Sequence, residues 1–336
     1  MSNKSSPVRE VTEPARFHEE IVLRCQPVVI RGLVAHWPVV QAACTSPRTL
    51  KDYLRAFDAG GGRFDTYFGD PAIAGKYYYN PGLDGFNFER RTMKLLEALE
   101  AIVEAVERPG AKSVYVGSVP TADYLPGFVT GNPLPLLGST TPRIWLGTAS
   151  NVSSHYDTLD NLACVIAGRR RFTLYAPELI DKLYVGPIDN TMAGQPVSLA
   201  ASAPVGSAEE FPLFEEVRNQ ALTAELMPGD ALYLPKLWWH QVESVAPFNG
   251  LVNYWWDAFS AGPDAPYAAL LLSMITIAER PAAERQAWKA FFDHYAFRSN
   301  GHPLAHLPPE KHGLLGPLKP DNYSKLRARI LHLLRR

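Results

Sequence analysis

The sequence is poor in cysteine. Its three cysteines, Cys25, Cys44 and Cys164, are far apart and odd in number. A disulfide framework or a zinc knuckle is therefore not expected, and the compartment is predicted to be reducing. The polar N-terminus lacks the apolar run of a signal peptide, and no stretch reaches the roughly 18 apolar residues of a membrane span. These absences predict a cytoplasmic protein with no membrane partner.

An excess of charge of one sign is also lacking. The chain has 33 basic and 34 acidic residues, a net charge of −1 and a pI near 6.8. This balance gives no overall field that would attract nucleic acid or an anionic membrane, although a local basic patch is compatible with it. The sequence also has no helix-turn-helix signal, which argues against a stand-alone DNA regulator.

Turn residues and short apolar runs, in contrast, are abundant. The 336 residues include 29 prolines and 24 glycines, and 46% of them are hydrophobic, enough to bury a sizeable core. Short strand patterns separated by turn signals fill residues 113–257, which predicts a β-sandwich or barrel. Low periodicity over residues 186–220 predicts a long insertion, a common place for substrate contacts.

Helical patterns flank the β-rich part. Apolar residues recur every three or four positions from Met93 to Val106, and again from about residue 263 to the C-terminus. The predicted class is therefore mainly β with flanking helices, an N-terminal α/β part and C-terminal helices. We expect a flexible segment over residues 1–14, a catalytic domain over 15–260 and a helical region over 261–336.

One short stretch contains a candidate metal site. His155 and Asp157 are two residues apart, so on an extended strand their side chains point to the same face. His240, which follows Trp238 and Trp239, is a candidate third ligand. Two histidines and one carboxylate form the facial triad of non-haem Fe(II) oxygenases. The alternative is a surface turn for the first pair and a core histidine packed on tryptophan for the third residue.

Further motifs accompany this constellation in a fixed order. They are Gly147, Asp160–Asn161, Gly168–Arg171, Tyr175–Pro177, Pro228–Asp230, Tyr233–Pro235, Val242–Ser244 and Asn253–Trp255. With them, the chain resembles the JmjC oxygenases, above all the cupin-like hydroxylases that include the asparaginyl hydroxylase of the hypoxia-inducible factor. Pro27–Trp37 resembles the N-terminal segment of the same branch. The resemblance covers roughly residues 20–260.

The resemblance implies a double-stranded β-helix of the jelly-roll or cupin type. It also implies Fe(II) as the metal, 2-oxoglutarate as co-substrate and O2 as oxidant. His155, Asp157 and His240 match the iron ligands of the family. The resemblance further implies hydroxylation of a substrate, with succinate and CO2 released.

The resemblance also assigns contacts to 2-oxoglutarate. Tyr115 matches a tyrosine whose hydroxyl bonds the far carboxylate, and Asn161 and Asn253 match asparagines near the other end. Arg170 stands where the family usually has a lysine that pairs with the far carboxylate. An arginine keeps the charge and can bind a carboxylate with two hydrogen bonds.

Two departures from the family pattern leave alternatives open. Strand alternation places Arg169 and Arg171 on one face and Arg170 on the other, but does not say which face is inward. Three residues before His155 the family often has Thr or Ser, whereas this chain has Val152. Ser153 is a candidate to serve in its place. The aromatic residues Trp145, Tyr156, Trp239 and Trp255 are either wall or core.

The substrate is not determined by these motifs. By analogy with the branch, we expect a protein or peptide side chain to be hydroxylated; RNA or small-molecule hydroxylation and demethylation are alternatives. A non-catalytic cupin that binds a metal or ligand to regulate a partner is a competing reading, as is a zinc or manganese cupin of another class. The last helix is expected either to pair two chains in a homodimer or to pack within its own chain.

Overall fold

The computed structural model of the protein describes residues 5–108, 110–188, 194–201, 209–260 and 262–335. The chain divides into two compact units, one ending at Ala258 and the other beginning at Phe259. Within the described residues, every helix is too short or too polar to cross a lipid bilayer.

Thirteen strands in the described part of the chain belong to one sheet. They are β1 Ser6–Pro7, β2 Arg9–Val11, β3 Val28–Ile30, β4 Arg63–Gly69, β5 Lys76–Tyr77, β6 Phe88–Lys94, β7 Ser113–Pro120, β8 Pro142–His155, β9 Asp160–Ala167, β10 Arg170–Tyr175, β11 Leu222–Leu226, β12 Ala231–Leu234 and β13 Trp239–Trp256. The main order is β2-β3-β12-β9-β13-β8-β7-β4-β6; β10 joins β13 to β11, β1 lies along β11, and β5 lies along β8.

Ten α-helices occur in the described part of the chain. They are α1 Phe17–Glu20, α2 Pro38–Thr45, α3 Pro47–Arg55, α4 Leu95–Glu107, α5 Thr121–Tyr124, α6 Phe128–Gly131, α7 Pro212–Glu215, α8 Pro266–Ile277, α9 Ala282–Tyr295 and α10 Pro320–Leu334. The predicted helix from Met93 to Val106 is α4, which begins two residues later because β6 continues to Lys94.

Two long strands roll the sheet. The first part of β13 pairs with β10, its second part pairs with β9, and both parts pair with β8. A register shift between Ser244 and Phe248 separates the two parts, and such irregularities bend a strand. The sequence pattern predicts two short strands within each, Arg143–Gly147 and a strand around His155 in β8, and Gln241–Val245 and Gly250–Trp256 in β13. Because each bent strand contributes to both halves of the rolled sheet, both halves supply residues to the wall of the cavity described below.

Apolar side chains form three buried clusters in the first unit. The largest lies between the sheet and the N-terminal helices and includes Trp37, Leu50 and Leu99. The second lies among β9, β10 and β12. In the third, Phe214 from the insertion packs with Trp239. The alternating buried and half-buried residues of β8 and β10 follow from the period of two in a strand.

The second unit consists of α8, α9, α10 and their connections. The Tyr323 hydroxyl donates to Asp264 Oδ2, and Arg327 Nε lies 3.0 Å from the same oxygen. No residue of these three helices is buried within the chain. The homodimer through the C-terminal helices remains a prediction.

Candidate metal centre and its cavity

His155, Asp157 and His240 come together at one end of the rolled sheet. His155 is the last residue of β8, Asp157 follows just after the strand, and His240 is the second residue of β13. His155 and His240 are direct cross-strand partners, with ring centroids 4.3 Å apart. His240 Nε2 lies 3.8 Å from Asp157 Oδ2. One potential ligand atom from each residue lies within 4.8 Å of the other two, so the three side chains can hold one metal ion.

The backbone fixes the tautomer of both histidines. His155 Nδ1 donates to the carbonyl of Ser153 at 2.8 Å, and His240 Nδ1 donates to the carbonyl of Trp238 at 3.0 Å. Each Nε2 therefore keeps its lone pair for a metal. Burial, with a smaller contribution from nearby His155, lowers the pKa of His240 to about 4, so this ring is neutral near pH 7.

The three side chains lie in the wall of a cavity of about 410 Å³. Its lining is mostly aromatic and apolar, with a few polar groups, which is typical of a ligand site. The lining residues are Tyr67, Tyr77, Phe88, Tyr115, Gly117, Ser118, Arg143, Trp145, Val152, His155, Asp157, Asn161, Ala163, Arg170, Phe172, His240, Val242, Leu251, Asn253 and Trp255.

Arg170 is the inward-facing member of the three consecutive arginines. It is only 3% exposed and lines the cavity, whereas Arg169 and Arg171 are near Glu225 on the outside. In the described part of the chain, the buried Arg170 Nε has no hydrogen-bond partner and no carboxylate lies within 4 Å of the guanidinium. Burial lowers its pKa, while Tyr115 raises it. A buried charge without a partner is costly, so this site favours an anionic ligand.

Two predicted asparagines form a hydrogen-bonded chain across the cavity wall. Trp145 Nε1 donates to Asn253 Oδ1 at 2.6 Å, and Asn253 Nδ2 donates to Asn161 Oδ1 at 3.2 Å. The Asn161 amide nitrogen has no acceptor among the described residues and is available to a ligand. Tyr115 also lines the cavity; burial raises the pKa of its hydroxyl, which Arg170 lowers. The hydroxyl is therefore a donor at neutral pH.

The remaining candidates divide between the cavity wall and the buried core. Val152 lines the cavity, whereas the Ser153 hydroxyl is buried and donates to the carbonyl of Tyr77 at 3.2 Å. Tyr156 and Trp239 pack against each other in the third apolar cluster, with ring centroids 4.9 Å apart. Strand alternation explains this, because a residue next to a cavity-facing histidine points to the opposite face.

Sequence reasoning missed part of the wall. Tyr67, Phe88 and Arg143 line the cavity, although none of them belongs to a motif that the sequence analysis recognised. None of the described residues of the insertion, 186–188, 194–201 and 209–220, lines the cavity. The predicted substrate contacts that fall on residues 189–193 and 202–208 lie outside the described residues.

A rolled sheet that places two histidines and a carboxylate in its cavity defines a cupin-type metal centre. The cupin-like domain family matches residues 14–262, and the chain belongs to that family. The expected fold class and the resemblance to the JmjC proteins are thereby confirmed.

Three relatives illustrate the similarity. Jumonji C domain-containing protein 5 of Drosophila melanogaster is 39% identical over 125 residues, 36% of this chain and 28% of the fly protein. Human HSPB1-associated protein 1 is 29% identical over 150 residues, 43% of this chain and 30% of the human protein. Lysine-specific demethylase JMJ30 of Arabidopsis thaliana is 25% identical over 254 residues, 72% of this chain and 52% of the plant protein. The chain thus spans from about a quarter to about half of these relatives.

Proposed function

We propose that the protein is an Fe(II)- and 2-oxoglutarate-dependent dioxygenase that hydroxylates a side chain of a protein or peptide. One observation carries this proposal: the metal-binding group and the unpartnered buried Arg170 line the same cavity. The co-substrate of such an enzyme needs both features, because one end binds the metal and the other end is a carboxylate. The membership in the cupin-like family supports the same assignment.

The three ligands occupy one side of the site and leave the other side open to the cavity. Their identity fits a divalent transition-metal ion such as Fe(II), since two imidazoles and one carboxylate without a thiolate suit that metal. Fe(II), with 2-oxoglutarate and O2, supplies the oxidation that places one oxygen atom on the substrate and the other in succinate, with loss of CO2. The backbone-bonded histidines hold their Nε2 atoms in place for the metal.

Arg170 and Tyr115 would hold the far carboxylate of 2-oxoglutarate. The guanidinium presents several donors and stays charged at neutral pH, and the tyrosine hydroxyl adds another. Asn161 would donate its free amide N–H to the other end of the same molecule. The apolar and aromatic wall excludes water, which strengthens each of these hydrogen bonds.

The proposal also specifies the class of substrate, a protein or peptide. Its support is the plant relative, whose name, lysine-specific demethylase, indicates an action on an amino-acid side chain. Hydroxylation of a carbon is the reaction that the ligand set supports directly. Hydroxylation of RNA or of a small molecule remains an outcome of the test below.

The central test measures succinate formation from 2-oxoglutarate with Fe(II), ascorbate and O2. We expect turnover by the wild type and none by His155→Ala. His36→Ala is the matched control, because His36 is an exposed histidine outside the cavity and should leave turnover unchanged. Binding of 2-oxoglutarate is measured in parallel by calorimetry under anaerobic conditions.

The outcomes separate the competing readings. Tight 2-oxoglutarate binding without any turnover would indicate a regulatory ligand-binding protein. Absence of 2-oxoglutarate binding would contradict the proposal and favour a metal-dependent cupin of another class. Partners trapped by the inactive variant can then be treated with the wild-type enzyme and examined by mass spectrometry for the gain of one oxygen atom.

A further inference from the structure

A second arginine, Arg143, lines the same cavity on a different wall. It lies near the start of β8, directly across from Asn253 on β13. Arg170, in contrast, lies across from Ser244, on the other side of the register shift in β13. The strand register therefore assigns the two guanidinium groups to different halves of the roll.

Arg143 is held in place by an irregular segment of β7. Its Nη1 donates to both the carbonyl oxygen (2.9 Å) and the hydroxyl (2.8 Å) of Ser118. Ser118 has a φ of 57°, a left-handed conformation that is unfavourable for a residue with a Cβ, and it lies where β7 shifts register against β8. The strained segment turns two acceptors toward one side of the guanidinium and leaves Nε and Nη2 unused.

The other donors of this corner also lack acceptors. Among the described residues, no carboxylate lies within 4 Å of Arg143, and no acceptor is bonded to its Nε or Nη2. The Arg143 Cζ lies 5.8 Å from the ring centre of Trp255, whose buried Nε1 has no hydrogen-bond partner in the described part of the chain. Two neighbouring residues that line the cavity therefore carry donors without a protein acceptor, and a guanidinium and an indole N–H both suit a carboxylate.

The charge of the cavity gives a second, independent argument, which rests on the proposed function. Of the residues that the structure describes, two arginines and a single carboxylate, Asp157, line the cavity. Fe(II) adds two positive charges and 2-oxoglutarate adds two negative charges, so the loaded cavity keeps a net positive charge. A substrate that carries a negative group near its reacting carbon would balance that charge.

We infer that Arg143 is a specificity-determining residue that binds a carboxylate of the substrate, namely an aspartate or glutamate side chain close to the hydroxylated residue. Ser118 is the positioning residue that orients the guanidinium. The enzyme thus selects acidic segments of its protein substrate, although the protein as a whole is nearly neutral.

The test uses the full-length protein loaded anaerobically with Fe(II) and 2-oxoglutarate. The probes are fluorescein-labelled pools of 12-residue peptides, random except for one position fixed as Asp, Asn or Lys, and binding is read by fluorescence anisotropy. We expect at least one Asp-fixed pool to bind about 10-fold or more tighter than its Asn counterpart, as a charge-assisted hydrogen bond predicts. Arg143→Gln should remove this preference, and Arg143→Glu should reverse it toward the Lys-fixed pool.

Arg169→Gln is the matched control, because the Arg169 side chain is 51% exposed and faces Glu225 outside the cavity; it should keep the preference for Asp. Thermal melting confirms that each variant is folded, and the reversal by Arg143→Glu cannot arise from misfolding. Equal binding of Asp and Asn pools by the wild type, or a preference that survives in Arg143→Gln, would overturn the inference.

A small carboxylate, N-acetylglycine, is tested in the same format by competition with a labelled pool. Competition that depends on Arg143, without any preference among the peptide pools, would likewise overturn the inference of an acidic peptide and would indicate a small acid as the ligand of Arg143. The anisotropy measurement needs no turnover, whereas succinate formation in the same preparation tests the proposed function. The two claims can therefore fail separately.

Discussion

The two ends of the cavity hold their polar side chains by different means. At the histidine end, each ring is bonded through Nδ1 to a backbone carbonyl two residues earlier, so its orientation needs no ligand. At the other end, Arg170 is buried with no hydrogen bond to its Nε among the described residues. The fold thus preorganises the histidine end. At the other end, the unpaired buried charge of Arg170 lowers the stability of the protein until an anion binds. Substitutions at the two ends should therefore differ in their effects on the ligand-free protein.

The largest effect is expected at the metal end, from Asp157→Asn. This change keeps the shape but removes the negative ligand, so metal affinity and succinate formation should each fall by more than about 100-fold, beyond the usual effect of losing an outer-sphere contact. The melting temperature of the metal-free protein should hardly change, because the carboxylate makes only a 3.8 Å contact with His240. Metal content after dialysis and succinate release measure the two effects.

Asp181→Asn is the control for this prediction, since Asp181 is exposed and remote from the cavity lining. If Asp157→Asn retained a full equivalent of tightly bound Fe(II), the three residues would not form the metal site. A large loss of stability in the metal-free state would instead show that this end is not preorganised.

The second largest effect is expected at the arginine end of the cavity. Arg170→Met should weaken 2-oxoglutarate binding by about 2–5 kcal/mol, the usual loss when one partner of a buried charge pair is truncated. The same change should stabilise the ligand-free protein by about 1–3 kcal/mol, because it removes a buried and unpaired charge. Calorimetry measures the affinity, and urea denaturation of the ligand-free protein measures the stability.

Arg171→Met separates this effect from a general loss of positive charge. Arg171 lies on the outer face and donates to Glu225, so its replacement should leave 2-oxoglutarate affinity unchanged. If the ligand-free Arg170→Met variant were less stable and its 2-oxoglutarate affinity were unchanged, Arg170 would have a structural partner within the protein and would not be an anion-binding residue.

A smaller effect is expected in the hydrogen-bonded chain of Trp145, Asn253 and Asn161, from a change at Asn253. Asn253→Ala removes the acceptor of Trp145 Nε1 and the donor to Asn161. An indole N–H left without its acceptor should cost about 1–3 kcal/mol of stability, and 2-oxoglutarate affinity should fall by about 10-fold as Asn161 loses its orientation. Asn249→Ala, a buried asparagine of the same strand outside the cavity lining, should lower stability without changing the affinity.

The metal-binding group could be predicted from the sequence because two signals identify its members, a local spacing and an ordered set of motifs. A spacing of two residues sets the faces of His155 and Asp157, and the ordered motifs supply His240. The inward direction of Arg170 was not accessible, since alternation gives two opposite faces but only the pairing of β10 with β13 says which one meets the cavity.

The cavity-lining residues outside the motifs could not be predicted for another reason. Tyr67 and Phe88 lie on strands distant in sequence from the metal motifs, and Arg143 lies at the opposite end of β8 from His155. Their side chains reach the cavity only after the sheet has rolled up. The bend in β13 also depends on a bulge, which a pattern of apolar residues does not reveal: two short predicted strands are one continuous strand. Non-local pairing, not local propensity, decides these features.

The smallest predicted effect concerns Val152, which lines the cavity where the related family often has a hydroxyl-bearing residue. Val152→Thr adds one donor at nearly constant volume. If this wall belongs to the pocket of the far carboxylate beside Arg170, the new hydroxyl should tighten 2-oxoglutarate binding by about 0.5–1.5 kcal/mol, the usual net contribution of one hydrogen bond. Calorimetry on the Fe(II)-loaded protein under anaerobic conditions measures the gain.

Val242→Thr is the matched control, because Val242 lies directly across from Val152 on β13 and lines the same cavity. A similar gain in both variants would reflect a more polar cavity in general and not a specific contact. No gain in Val152→Thr would show that Arg170 and Tyr115 already satisfy the carboxylate. The arginine would then compensate for the missing hydroxyl with its additional donors, which is the physical reason to expect arginine and valine together in this chain.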